Sequence, residues 1–300
     1  YLGGKNMLDI NLIKENPEKI AELLARKGWK ADFSEVLAKY QERKNIMQKV
    51  ENIKAESNKL SASVPQVKKA GGDIQAIFTK VKELNASITE DEKTLKALEA
   101  EINAYMSALP NIPDEDLLPG GKENNKVIHT FHAKPVFDFK IKDHVSLCES
   151  LGLVDYERGA KISGAGTWVY TGLGAQLEWA LLNFFISEHL KDGYEMILPP
   201  HLLNYESGYT AGQFPKFTED VFWLDGIEPK RFMLPTAETA LVNLHRNEIL
   251  SEDDLPKKYF AYTPCYRCEA GSYRTEERGM VRGYQFNKVE MYQFTADDRS

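Results

Sequence analysis

Arg267 and Glu269 stand two residues apart, and Phe286, Lys288 and Glu290 follow further on at the same spacing. On a β-strand, residues two apart project to the same face. If the two segments pair as a hairpin around the charged, glycine-bearing loop between them, a cation, two carboxylates and an aromatic plate gather on one open sheet. That set suits adenylate formation. A guanidinium neutralises an α-phosphate as negative charge builds during nucleophilic attack. A phenyl ring stacks on adenine, and a carboxylate accepts from the exocyclic amine. The second carboxylate is left for the acid being activated. For any one of these residues an ion-paired sheet face is the simpler explanation, and only the joint pattern lifts the chemistry above it.

Other motifs fail on their own terms. Gly159-Ala-Lys-Ile-Ser-Gly164 begins like a phosphate loop, but Ala165-Gly166 stands where Lys-Ser/Thr is required. His129-Thr-Phe-His132 lacks an acidic or cysteine partner at metal spacing. Cys265 and Cys268 are three apart, so on a strand their thiols point to opposite faces and do not converge on a metal or a disulfide. No metal-ligating residues are assigned.

The elements that must carry the charged face lie in the second half. Segments 145–151, 177–190 and 236–245 have helical spacing. Residues 195–200 read as a short buried strand stopped by Pro199-Pro200. Residues 217–234 read as two aromatic-rich strands around Asp225-Gly226. Strands at 259–270 and 282–294 hold the charged face. Strands mixed with helices and joined by hairpins indicate an α+β fold with a mainly antiparallel sheet.

The first third is different. Between Ile74 and Leu109 the apolar positions 74, 77, 81, 84, 88, 95, 98, 102, 105 and 109 alternate steps of three and four, with Asp91 the one interruption. That is a heptad repeat. A less regular stripe from Phe33 to Leu60 supplies its partner, and Pro65 with Gly71-Gly72 marks the reversal. At 1.5 Å per residue the second helix is roughly 50 Å long, so an antiparallel coiled coil projects as an arm. Lys54, Lys59, Lys68, Lys69, Lys80 and Lys82 cluster toward its tip. A spacer or dimerisation element is the plainer reading and an RNA-gripping arm the sharper one. A capped helix within 7–30 packs at its base, Pro110 and Pro113 close it, and a linker follows.

Composition sets the bounds. Three hundred residues allow about two domains. With 42% hydrophobic and 28% charged residues the chain is that of a globular protein. A net charge of −7 excludes a generic basic nucleic-acid coat but leaves room for a local basic patch. No apolar run reaches a membrane span. Three cysteines in so long a chain point to a reduced, cytoplasmic protein. Tyr1 to Asn6 precede Met7, which reads as the native start.

Tyr266-Arg267-Cys268-Glu269, the Arg278-Gly279 loop, Arg282-Gly-Tyr-Gln-Phe286 and Lys288-Val-Glu290 together resemble motif 2 of the class II aminoacyl-tRNA synthetases, with the specific match to the seryl-tRNA synthetases. The helix before Gly193-Tyr-Glu-Met-Ile-Leu-Pro-Pro200 resembles motif 1, which implies a homodimer. Leu234-Pro-Thr236-Ala237-Glu238 is similar to the family's serine-binding segment. The resemblance implies a class II antiparallel sheet flanked by helices behind a coiled-coil arm that binds tRNA, which overrides the spacer reading. It implies an arm at 7–110, a linker at 111–126 and a catalytic domain with motifs 1 and 2 at 127–300. The implied partners are tRNA(Ser) and serine, and the implied cofactors are ATP as substrate and Mg2+ to screen the triphosphate.

Carried over residue by residue, Arg267 contacts the α-phosphate and the substrate carboxylate and is the catalytic residue. The implied ATP site is Arg267, Cys268, Glu269, Tyr284 and Phe286, with Glu269 on the adenine amine and Phe286 on the ring. The implied serine site is Thr236, Ala237, Glu238, Arg267 and Glu290. Thr236 and Glu238 take the amino group, and Glu290 takes the hydroxyl. The implied tRNA contacts are Lys54, Lys59, Lys68, Lys69 and Lys80.

Three positions depart from the family pattern: Tyr284 where histidine is common, Gly283 where a larger polar residue is usual, and Cys268 where serine is common. The family also continues past residue 300 to a magnesium-binding acid and a motif 3 arginine opposite the motif 2 phenylalanine. The resemblance therefore implies one jaw of the nucleotide site beyond these residues. The alternative is a catalytically incomplete synthetase-derived module that binds tRNA. A ligase serving a carrier protein is disfavoured by the arm, and a purely structural coiled coil by the charged face.

Overall fold

The computed structural model describes residues 8–268 and 279–296. The chain divides into two compact units, residues 1–131 and 132–300.

The first unit is helical. Short helices α1 (Ile10–Glu15) and α2 (Pro17–Ala25) are separated by Asn16, with Pro17 at the first position of α2 where its missing N–H costs nothing. They lie against the base of two long antiparallel helices, α3 (Ser34–Lys69) and α4 (Ile74–Ala108). Ile13, Ile20 and Leu24 bury with Phe33, Val36 and Ile102 there. The heptad positions Ile88, Leu98 and Ile102 are buried on α4. The interruption at Asp91 is an ion-pair site, with Lys49 Nζ 2.9 Å from Asp91 Oδ1 across the seam. Arg43–Glu99 at 2.7 Å and Lys39–Glu101 at 2.8 Å add further cross-links that favour one register.

The expected break at Pro65 does not occur. α3 continues through it to Lys69, and the reversal falls at Ala70–Asp73, where Gly71 has φ +70° and the Asp73 side chain caps α4. Pro65 is solvent-exposed and near the helix end, so it removes one backbone hydrogen bond without ending the helix.

The second unit opens with α5 (His144–Ser150), β1 (Val154–Asp155), α6 (Tyr156–Ser163), β2 (Val169–Tyr170) and the long α7 (Leu173–Lys191). Next come β3 (Glu195–Met196), β4 (Leu202–Asn204), α8 (Tyr205–Thr210), β5 (Trp223–Leu224), β6 (Arg231–Met233) and α9 (Glu238–Leu241). The two longest strands, β7 (Lys257–Tyr266) and β8 (Gln285–Phe294), complete it. Sheets form in the orders β1-β2, β3-β7-β8 and β4-β6-β5, and among the described residues only the β3–β7 pair is parallel.

Three sequence expectations shift. Residues 195–200 pair over two residues only, and both are exposed rather than buried. Prolines end the segment, and Leu198 within it is 73% exposed. The strands at 217–234 are short and separated by 225–230 rather than by a two-residue turn. The long strands span 257–266 and 285–294 rather than 259–270 and 282–294, so Arg267 sits just beyond its strand.

The β7–β8 pair is two-faced. Tyr262 and Asn287 face α7, with the Trp179 and Tyr262 rings 5.5 Å apart and Asn287 donating to Glu178 at 3.2 Å. The opposite face carries Ala261, Thr263 and Cys265 beside Phe286, Lys288 and Glu290. It is covered in part by the segment from Phe232 to Leu241. Phe232, Leu234 and Cys265 are fully buried there, so the sheet end that holds Arg267 and Phe286 rests on the core.

Candidate functional site

The register decides which side chains meet. β7 and β8 pair with Cys265 opposite Phe286, Thr263 opposite Lys288 and Ala261 opposite Glu290. Directly paired residues on an antiparallel ladder share a face. The Arg267 N–H donates to the Tyr284 carbonyl at 3.0 Å, which carries the ladder one step beyond the end of β7. Arg267 therefore joins Phe286, Lys288 and Glu290 on one face. Its guanidinium carbon lies 5.3 Å from the Phe286 ring centroid, within cation–π range. Arg267 Nε donates to the Pro235 carbonyl at 3.1 Å, which fixes the guanidinium against the segment leading into α9.

A second cluster lies further along β8. Thr236 Oγ1 donates to Glu290 Oε2 at 2.7 Å, and the Glu238 backbone N–H donates to the same oxygen at 3.1 Å. Lys288 Nζ is 2.8 Å from Glu290 Oε2 and also donates to Thr236 Oγ1. These three donors meet on one oxygen, and among the described residues no hydrogen bond reaches Oε1. Burial alone would raise the Glu290 carboxyl, but hydrogen bonds from Lys288, Thr236 and the Glu238 N–H outweigh it and hold the group below its ordinary range. Burial followed by the Glu290 charge raises Glu238 instead. The site thus pushes two neighbouring carboxyls apart, Glu290 down and Glu238 up.

The other expected residues fall as follows. Ala237, expected at the serine site, is instead fully enclosed against Leu241 and Ala261 and presents no surface to a ligand, because its small side chain fills the core beneath α9. The Tyr284 ring packs edge-on to Phe222 at 6.0 Å. The Cys268 N–H donates to the Asp220 carbonyl at 2.9 Å, and burial raises its thiol. Cys265 is buried in the core whereas Cys268 is partly exposed, so the two thiols occupy different environments. Glu269 and Arg278 lie outside the described residues. In the arm, Lys59, Lys68, Lys69 and Lys80 are exposed near the reversal, while Lys54 pairs with Glu92 at 2.9 Å.

Residues 7–113 match the model of the seryl-tRNA synthetase N-terminal domain, and residues 222–300 match that of the tRNA synthetase class II core domain (G, H, P, S and T). The chain is 55% identical over 298 residues to serine–tRNA ligase 2 of Clostridium acetobutylicum, covering 98% of this chain and 70% of that one. The chain belongs to the seryl-tRNA synthetase family. The serine–tRNA ligase of Thermodesulfovibrio yellowstonii is 39% identical over the same shares. The seryl-tRNA synthetase of Pyrococcus horikoshii, solved in complex with ATP, superposes with a TM-score of 0.82 at 29% identity, over 95% of this chain and 69% of that one. The cytoplasmic enzyme of Naegleria fowleri, solved with AMP, gives 0.78 at 25% identity, over 97% and 67%.

Two participants in this synthetase site were not assigned roles from sequence. Lys288 shares the period-two pattern of Phe286 and Glu290, and that spacing was the available signal for its place. The Pro235 carbonyl that holds Arg267 left no signal at all, because a backbone oxygen is set by tertiary packing.

Proposed function

We propose that the chain activates serine with ATP as seryl-adenylate and transfers it to tRNA(Ser), and that the face described above is where activation occurs. The observation that carries this is the register. It sets Arg267 beside Phe286 at the nucleotide end and Thr236, Glu238 and Glu290 together at the amino-acid end of one face.

In this reading the serine ammonium lies between the Thr236 hydroxyl and the Glu238 carboxylate, whose raised pKa a cation would bring down. Glu290 Oε1 accepts from the serine hydroxyl. Arg267 holds the serine carboxylate close to the α-phosphate. One carboxylate oxygen attacks the α-phosphorus, the α–β bridging bond breaks, and pyrophosphate leaves with the electron pair. The guanidinium neutralises the charge that builds on the phosphoryl oxygens. Phe286 carries the adenine and Glu269 its amine, with Tyr284 and Cys268 at the edge of the nucleotide. The ribose hydroxyl at the tRNA 3′ end then attacks the mixed anhydride and releases AMP.

Magnesium accompanies the triphosphate as its counter-ion. Among the described residues no group of three or more acidic, histidine or cysteine side chains is placed to hold it. Among the described residues no helix is long and apolar enough to cross a membrane, and a cytoplasmic location suits a tRNA substrate. A homodimer through motif 1 is supported by the exposed apolar side chains of α7 and of the segment that follows β3, among them Leu177, Phe184 and Leu198.

Serine-dependent exchange of labelled pyrophosphate into ATP tests the activation half, and absence of any dependence on serine would sink it. The arm is tested separately. Reversing Lys59, Lys68, Lys69 and Lys80 to glutamate is expected to weaken tRNA binding and flatten its salt dependence by about one unit of slope per lost phosphate contact. Pyrophosphate exchange should be unaffected. An unchanged salt slope would count against the arm as the RNA contact.

A further inference from the structure

Gly283 begins the segment that becomes β8, and its φ lies outside the left-handed region, so its backbone does not require glycine. Space does. A Cβ built at 283 would stand 2.3 Å from both Cη2 and Cζ3 of Trp168. The same tryptophan is confined at its other end. A Cβ at Gly159, inside α6, would meet the Trp168 Cα at 2.4 Å, its N at 2.7 Å and the Thr167 carbonyl at 2.8 Å. Glycine within a helix costs about 1 kcal/mol relative to alanine, so Gly159 is explained by this close backbone approach. Two glycines, far apart in sequence, make room for one tryptophan, Gly159 for its backbone and Gly283 for its indole.

The contact bears on the nucleotide end of the site. One residue past Gly283, the Tyr284 carbonyl accepts from the Arg267 N–H at 3.0 Å, and Phe286 lies two residues beyond that. Trp168 also meets Tyr170 edge-on at 6.3 Å. It lines a cavity of about 520 Å³ together with Tyr266, Tyr284 and Phe286, so the ring is the solid wall on that side of the strand start. We propose that Trp168 is a positioning residue of the nucleotide site: its indole fills the volume that a side chain at 283 would occupy and thereby sets where Arg267 and Phe286 stand. The serine end should be insulated. Lys288 and Glu290 lie five and seven residues along the strand, roughly 17 and 23 Å away at 3.3 Å per residue.

This inference rests on the assignment of ATP to the Arg267–Phe286 end, and the experiment separates the two. Dissociation constants for ATP and for serine are measured by calorimetry on the intact chain and its variants. Trp168→Ala is expected to weaken ATP binding about tenfold, equivalent to about 1.4 kcal/mol, with serine binding changed less than about twofold. Gly283→Met alone should weaken ATP at least as much by collision with the ring. The double variant, in which methionine enters the space the indole leaves, should recover ATP affinity to within about threefold of the parent, a non-additive outcome expected only of residues in contact. Trp168→Phe, which keeps an aromatic wall, carries the test if the alanine variant does not fold, and should cost less ATP affinity than Gly283→Met.

Equal weakening of ATP and serine, or a double variant equal to the sum of the singles, overturns the positioning role. Retained ATP affinity in the singles does the same. A parent chain that binds serine but not ATP overturns the nucleotide assignment itself, and this inference with it.

Discussion

Replacing Arg267 with alanine is expected to lower serine-dependent pyrophosphate exchange by about 10³-fold, with most of the loss in kcat. In the proposed reaction the guanidinium faces the charge that grows on the α-phosphoryl oxygens, and such preorganised groups act mainly in the transition state. It is held by the Pro235 carbonyl at 3.1 Å and by the Phe286 ring at 5.3 Å, so little reorganisation is needed when charge develops. Arg267→Lys keeps the charge but loses the planar fork that can bridge two oxygens, and should still lose on the order of 10²-fold. Exchange within about threefold of the parent in either variant would remove Arg267 from the reaction.

The second large effect concerns choice of amino acid. A site built to hydrogen-bond a hydroxyl rejects the analogue lacking it, because the site's own polar group is then left unpaired. In the proposed site Glu290 is such a group, already ordered by Thr236, Lys288 and the Glu238 N–H on one oxygen. Glu290→Ala should reduce the preference for serine over alanine by on the order of 10²–10³-fold in kcat/KM. Glu290→Gln, which keeps an acceptor for Thr236 and Glu238, should lose less. Preference unchanged in Glu290→Ala would assign hydroxyl recognition elsewhere.

The pH dependence has a definite sign. The folded-state pKa of Glu290 is depressed, so its contribution to stability is complete above the ordinary carboxylate range and is lost as pH falls through the lowered value. Serine recognition through this group should follow the same acid limb and show no loss toward neutral pH.

Much of this was legible in the sequence because it rests on periodicity. The heptads of 74–109 and the two-residue spacing of Phe286, Lys288 and Glu290 are local patterns, and the helices and shared face follow from them. Asp91 looked like a flaw in the repeat and is a cross-seam ion pair, since its partner Lys49 lies on the other helix. Pro65 misled because the penalty of a proline depends on its distance from the helix end and on the face it occupies. The strand at 195–200 misled because an apolar run does not reveal whether another surface covers it. Least legible were contacts fixed by long-range packing: the Pro235 carbonyl on Arg267, the buried side chain of Ala237, and Trp168 against Gly283. Glycine at 283 looked like a lost side chain, and only the indole across from it gives the reason.

Placing activation on the β7–β8 face can be tested without relying on rates, by a crystal structure with a non-hydrolysable seryl-adenylate analogue. The analogue's seryl hydroxyl should lie within hydrogen-bond distance of Glu290 Oε1, its amino group beside Thr236 and Glu238, its phosphate mimic on Arg267 and its adenine on Phe286. Binding elsewhere, or with the seryl group away from Glu290, would contradict the assignment.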